Sequence, residues 1–299
     1  MFKVFEAEGH SKQRETGPLE KAIERVRALF PFPNVEMQLE ESVPIAKLVM
    51  NYLAEGGVLD FGSGVSVTSA LLALAGYRVF ACDDLCDRWH LEHGNRERIL
   101  HFARQVGIEF FLGDAVTAYP YRGSQFDLVL MNDVLEHLHD SPYPLLCDVL
   151  DSMKPRALLF ITVPNAASLR KRVALLIGRT NYPPYREFFW YPPPWRGHVR
   201  EYVLDDLLAL SRYLRLEVVQ RRDIHRMVAK RLKARIARTA YYALMSMVPI
   251  PGLRDSLLLL ARKPDGWNRE WVAATTLSGQ EADHSFSGRG DIRRSNTGT

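Results

Sequence analysis

Cysteine is scarce in this sequence: Cys82, Cys86 and Cys147 are the only three among 299 residues. Three thiols are too few for a disulfide framework, and Cys82-x-x-x-Cys86 has no second pair to complete a zinc site. They read as reduced thiols of a cytoplasmic protein. Long apolar runs are also missing. No stretch reaches the roughly 18 apolar residues of a membrane-spanning helix, and MFKVFEAEGH has no apolar signal-peptide core. Strong net charge is absent as well: 39 Lys and Arg against 35 Asp and Glu leave +4, too little to argue for nucleic acid. What is abundant is apolar material, 47% of residues, which excludes global disorder. At about 100–200 residues per domain, one large domain with appendages, or two domains, is expected.

The mild charge hides an uneven distribution. Residues 221–264 carry eleven basic and two acidic side chains, a net +9, so the rest of the chain sums to −5. Along the chain, Leu19 to Phe30 and Glu41 to Ala54 have helical spacing. Short apolar strands then alternate with helices. Strands are expected at Val58 to Phe61, Tyr77 to Cys82, Ile108 to Leu112, Phe126 to Met131 and Ala157 to Val163. Helices are expected at Ser66 to Ala75, Arg88 to Val106 and Val134 to Met153. Apolar strands separated by helices predict a mostly parallel sheet covered on both faces. Residues 166–200 interrupt this rhythm with a basic amphipathic stretch and the run TNYPPYREFFWYPPPWRGH. It resumes with a helix from Val203 to Leu214, a strand from Leu216 to Gln220, a basic helix within 226–248 and a strand from Ser256 to Ala261. Residues 265–299 turn polar and Gly/Ser-rich and are expected to be a disordered tail.

The chemistry concentrates in Val58-Leu59-Asp60-Phe61-Gly62-Ser63-Gly64-Val65-Ser66. A strand delivers an acid and then two glycines, which let the backbone pass close to a ligand just before a helix N-terminus. The next strand ends at Asp83, where an acid can accept from both ribose hydroxyls. Together they indicate a nucleoside-containing ligand. A dinucleotide turn wants a third glycine at position 67, where Val67 stands, and a diphosphate disfavours an acid at Asp60. S-adenosylmethionine, with a sulfonium, an ammonium and no phosphate, suits the turn.

Taken in order, D-F-G-S-G after the first strand, A-C-D after the second, G-D-A after the third and F-D-L-V-L-M-N-D-V-L-E-H-L at the fourth resemble class I SAM-dependent methyltransferases. The resemblance spans roughly residues 40–264. It implies an α/β, Rossmann-like, seven-stranded mostly parallel sheet with helices on both faces: an N-terminal helical cap (1–40) and a methyltransferase domain (41–264), with residues 166–200 as an inserted lid. It also implies residue roles. Gly62 and Gly64 would line the methionine end of the cofactor, and Asp60 would hold its ammonium directly or through water. Asp83 would grip the ribose and Leu85 would pack on the adenine. Asp114 would accept from the adenine amino group beside the Ala115 N–H, and Asn132 would lie under the sulfonium. The family's third glycine is Ser66 here; serine is small and could cap the helix. Taken singly, the glycines are equally turn residues and the acids caps or solvated surface.

On the acceptor side, His137 and His198 are candidate bases for the acceptor proton. Packed structural histidines are the bland alternative. The V-L-E-H turn is similar to that of ubiquinone-biosynthesis O-methyltransferases. That branch implies that Asp133, Glu136 and His137 could hold a divalent metal, on one helix face at spacings of three and four; the metal question stays open. The same branch bears an insert in the place of residues 166–200 that can touch membranes. Leu169, Val173, Leu176 and Ile177 alongside Arg170, Lys171, Arg172 and Arg179, followed by seven aromatics, suit a lipid interface, a sugar-binding lid or a lid packed over the sheet edge. The basic helix could equally lie on an anionic membrane or pack its stripe on the sheet. The resulting expectation is O-methylation of a small-molecule, lipid or glycan acceptor by a cytoplasmic enzyme that can be peripheral to the inner face of a membrane. Nucleic acid is disfavoured. A nucleotide-dependent oxidoreductase and a non-catalytic SAM-fold scaffold at a membrane are the alternatives.

Overall fold

The computed structural model describes residues 17–180, 182, 184–225, 238–243, 245 and 252–272. The chain opens with α1 (Gly17–Leu29) and α2 (Val35–Tyr52), then β1 (Gly57–Phe61), α3 (Val67–Leu74), β2 (Arg78–Asp83), α4 (Arg88–Leu91), α5 (Asn95–Gln105), β3 (Glu109–Leu112) and β4 (Phe126–Asn132). A 3-10 turn (Leu135–His137) leads to α6 (Tyr143–Asp151) and β5 (Met153–Pro164). The inserted segment holds α7 (Leu169–Leu176) and α8 (Tyr185–Phe189). The described chain closes with α9 (Leu204–Tyr213), β6 (Glu217–Ile224) and β7 (Ser256–Arg262).

The strands form one sheet in the order β3-β2-β1-β4-β5-β7-β6. β1 to β5 pair in parallel, and β7 runs antiparallel to both β5 and β6. This is the expected seven-stranded, mostly parallel Rossmann-like fold. Two-residue alternation sends successive side chains to opposite faces. Val58, Leu128, Leu130, Leu158 and Phe160 join the core under α1, α2, α3 and α5. Leu59, Phe61, Val129, Met131, Leu159 and Ile161 join the core under α6 and α9. Burial on both faces is why these strands read as unbroken apolar runs. Since β1 is followed in the sheet by β2 on one side and β4 on the other, the order reverses between β1 and β4. Their carboxyl ends, Phe61 and Asn132, flank the crevice where open α/β sheets bind ligands.

Several boundaries differ from the sequence reading. The helix expected from Glu41 starts at Val35 and carries Pro44 in its interior, so the expected 40/41 domain boundary falls inside α2. The long helix expected at 88–106 breaks between α4 and α5, where His93 and Gly94 adopt left-handed φ of 52° and 70°. The helix expected from Val134 is reduced to a 3-10 turn before α6, and β5 starts four residues early, at Met153. Trp267 and Val272, placed in the polar tail by composition, are buried against the core, and the Trp267 indole N–H donates to Leu214 O at 2.9 Å. Residues 273–299 of that tail lie outside the described residues, as does most of the basic helix. Of 226–248, the helical residues 238–243 and 245 are described, and Arg238 there pairs with Glu40 of α2 at 2.5 Å. Among the described residues no helix is long and apolar enough to cross a membrane.

Candidate active site

The loop after β1 is shaped by backbone that a side chain would obstruct. Gly62 and Gly64 adopt φ of 70° and 51°. A Cβ at Gly62 would come within 2.7 Å of Val134 Cγ2, whereas at Gly64 it would meet nothing within 4 Å, so the loop there borders open space. The Gly62 and Ser63 N–H groups donate to Cys82 O at 2.8 and 3.2 Å, which pins the loop to β2. Ser66 also adopts a left-handed φ, 61°, a conformation that favours glycine. It does not cap α3 as expected: its hydroxyl lies 3.1 Å from Ser63 Oγ and 3.3 Å from Gly64 O, and makes no side-chain cap bond.

Two acids stand behind and beside this loop. Asp60 is 3% exposed and accepts a 2.6 Å hydrogen bond from the Ser69 hydroxyl. Burial pushes its carboxyl up to about 7, and the neighbouring Asp83 adds to the rise. Asp83, at the end of β2, accepts from Gly64 N–H at 2.9 Å and Leu85 N–H at 2.8 Å. Burial raises its pKa against the pull of those two bonds. Leu85 is fully buried in the core beneath α5, so its side chain does not face the crevice to meet an adenine as expected. After β3, Asp114 accepts from the Val116 and Thr117 N–H groups at 3.0 and 3.2 Å and from Thr117 Oγ1 at 2.7 Å. These bonds outweigh partial desolvation and lower its pKa. Ala115 beside it is buried. At the end of β4, Asn132 Oδ1 accepts from the Thr162 hydroxyl at 3.3 Å.

The turn after β4 and the end of the insert bring the two predicted histidines together. The rings of His137 and His198 stand edge to face, 5.0 Å between centroids. His137 Nδ1 lies 2.9 Å from Arg196 O, and a carbonyl only accepts, so Nδ1 carries the hydrogen and Nε2 keeps its lone pair. His198 Nδ1 lies 3.0 Å from Glu201 Oε1, and the other oxygen of Glu201 is bonded by Lys171 Nζ. Those bonds outweigh burial and lower the Glu201 pKa, so this carboxylate is ionised and orients the imidazole the same way. Partial desolvation holds His137 below the ordinary histidine range, and His198 beside it acts in the same direction. Glu136, fully buried, offers a carboxylate oxygen within 4.8 Å of ring nitrogens of both histidines, close enough to share a cation. Asp133 is not part of this group. It stands before the 3-10 turn with φ 53°, which undoes the one-face helical trio expected from spacing.

Sequence reasoning missed Arg196, Asp84, Asp87 and Glu201, and it grouped Lys171, which is buried against Glu201, with the exposed basic residues of the insert. Arg196 bridges to Asp84 at 2.8 Å and Asp87 at 2.5 Å across more than 100 residues, so no local spacing signals the contact.

Residues 22–230, more than two thirds of the chain, match the model of a family described as a methyltransferase domain. The chain belongs to this methyltransferase family. S-adenosylmethionine is its cofactor, and the open space in front of Gly64, with Asp83 bonded to that residue's N–H, leaves room for a nucleoside. Solved structures similar to this methyltransferase include a SAM-dependent methyltransferase from Methanosarcina mazei (18% identity, 73% of this chain and 97% of that chain, TM-score 0.49). Another is the PH0226 protein of Pyrococcus horikoshii (18%, 80% and 98%, TM-score 0.48). A third is the 1,6-didemethyltoxoflavin-N1-methyltransferase of Burkholderia thailandensis, with 1,6-didemethyltoxoflavin and S-adenosylhomocysteine bound (19%, 82% and 87%, TM-score 0.48). No protein of curated function matches the sequence significantly.

Proposed function

We propose that this methyltransferase O-methylates a small-molecule, lipid or glycan acceptor, with His137 and His198 as the groups that take up the acceptor proton. The observation that carries this is the pair of imidazoles, each with Nδ1 engaged by an oxygen, brought edge to face where the turn after β4 meets the end of the insert. The cofactor supplies an electrophilic methyl on a sulfonium. Gly62 and Gly64 would let the methionine end lie against backbone, with Asp60 reaching its ammonium through water, since Asp60 itself is buried. Asp83 would hold the ribose, Asp114 and the Ala115 N–H the adenine edge, and Asn132 would stand beneath the sulfonium. At the acceptor, His137 or His198 Nε2 would take up the hydroxyl proton as the oxygen accepts the methyl group that the sulfonium would give up. The enzyme contributes alignment and proton uptake.

The exposed face of the insert supports a membrane-proximal acceptor. Leu176 is 85% exposed, Trp190 73% and Tyr185 72%, and Arg170, Arg172, Arg179 and Arg186 are exposed among them. Apolar and aromatic side chains ringed by arginines complement an anionic lipid surface.

The test is transfer of labelled methyl from S-adenosylmethionine into an extract of lipids and hydroxylated small molecules. Label in a product that withstands alkaline hydrolysis and has lost a free hydroxyl supports an ether. Label recovered on an amine would overturn O-methylation.

A further inference from the structure

The end of the insert, residues 195–201, is fastened to two loops that lie on opposite sides of the glycine turn. On one side is the loop after β2: the Arg196 guanidinium grips Asp84 with both terminal nitrogens, at 3.0 and 2.8 Å, and its Nε bonds Asp87 Oδ1 at 2.5 Å. On the other side is the loop after β4. His137 Nδ1 meets Arg196 O, His139 Nε2 meets Trp195 O at 2.7 Å, and the Val199 and Arg200 N–H groups donate to Glu136 O at 2.7 and 3.3 Å. β1 lies between β2 and β4 in the sheet. A segment tied to the loops following both neighbours therefore passes over the loop that follows β1, where Gly62 and Gly64 face the cofactor crevice.

The segment is a folded hook. The Trp195 indole turns back to donate to His198 O at 3.3 Å and stands against Phe188 and Tyr191. The ring also covers Gly197 so closely that no Cβ could be placed there without moving it. Arg196 thus has a fixed backbone from which to reach the acids, and the planar guanidinium matches the Asp84 carboxylate in a two-point fork.

We propose that Arg196 is a positioning residue that locks residues 195–201 as a strap across the cofactor crevice, walling the bound cofactor in and setting His198 beside His137 in the same closure. Cofactor exchange then requires the Arg196–Asp84–Asp87 network to open. Because those charges are partly solvated, opening is promoted by salt. The inference rests on the cofactor crevice placed between β1 and β4 above.

The test uses the full chain and S-adenosylhomocysteine, with its release followed by stopped-flow displacement, so no methyl acceptor is needed. Arg196→Ala is expected to speed release at least ten-fold with little change in melting temperature. Asp87→Asn, outside the cofactor contacts named above, is expected to speed it several-fold, and the double variant is expected to be no faster than Arg196→Ala alone. Raising potassium chloride to about 0.5 M is expected to speed wild-type release and leave Arg196→Ala unmoved. Arg196→Lys keeps the charge without the fork and should fall between. Release from Arg196→Ala within two-fold of wild type, or effects of Arg196→Ala and Asp87→Asn that simply multiply, would sink the strap. If Arg196→Ala does not fold, the salt dependence and Asp87→Asn decide alone: release indifferent to both overturns the proposal. Wild-type protein that does not retain S-adenosylhomocysteine would instead remove the crevice placement itself.

Discussion

Around β1 the chain hides its apolar side chains, and in the insert it displays them. Val58 and Leu59 have no exposed surface and Phe61 only 3%, whereas Leu176, Tyr185 and Trp190 stand mostly in solvent. The first arrangement fixes a backbone: β1 cannot shift without uncovering core on both faces, so the left-handed turn at Gly62 and Gly64 is held at a set place. The second fixes little except its root, where Lys171, His198 and Glu201 are joined and Arg196 reaches the acids after β2. On the proposed reading, cofactor grip rests on backbone held by a core, and acceptor chemistry on side chains held by a few polar bonds.

This contrast can be tested by perturbing each region and reading both properties. The largest effect is expected at His198: replacement by alanine should lower methyl transfer by roughly 10²–10⁴-fold while affinity for S-adenosylmethionine stays within a few-fold. Calorimetry beside turnover checks this, and a parallel loss of affinity would merge the two regions. Next is Gly62→Ala. A methyl group directed at Val134, on a left-handed residue, costs about 1–3 kcal/mol, so cofactor affinity should fall about 10–100-fold with the His137–His198 pair untouched.

A smaller effect is expected from pH. Asp60 titrates near 7 in the folded protein and in the ordinary carboxylate range when unfolded. Between those values the folded state holds a proton that the unfolded state has released, so stability falls as pH rises toward and through 7. Without cofactor, the melting temperature of Asp60→Asn should gain on wild type as pH rises from 5 to 8, and parallel curves would contradict the assignment. The smallest effect on the fold is expected from Leu176→Ser with Trp190→Ser. Stability should change by no more than about 0.5 kcal/mol, while flotation with phosphatidylglycerol-containing vesicles is lost. Wild-type protein that stays at the bottom of the gradient would remove the lipid surface from the reading.

How much of this was legible in the sequence divides along the same line. The sheet could be read because doubly buried strands write apolar runs, and the left-handed turn at Gly62 and Gly64 because glycines follow a strand at short range. Some local features escaped. Glycine's absence at position 66 is absorbed by a serine held left-handed, and the break at His93-Gly94 falls on the one glycine within a long polar helical pattern, a breaker that the sequence reading passed over. The family resemblance implied an adenine contact for Leu85, which has a left-handed φ of 45° and a side chain buried in the core. The polar root of the insert was out of reach for a different reason: Arg196 meets Asp84 and Asp87 across more than 100 residues of chain.

The most direct test of the cofactor placement is a comparison of two ligands on two proteins. Binding of S-adenosylhomocysteine and of its 2′-deoxyribose analogue is measured by calorimetry on wild type and on Asp83→Asn. If Asp83 holds the ribose at the end of β2, wild type should bind the analogue at least ten-fold more weakly, and Asp83→Asn should bind the two within about three-fold of each other, the loss of one charged hydrogen bond being worth about 1.5–3 kcal/mol. Equal discrimination by both proteins would contradict the account.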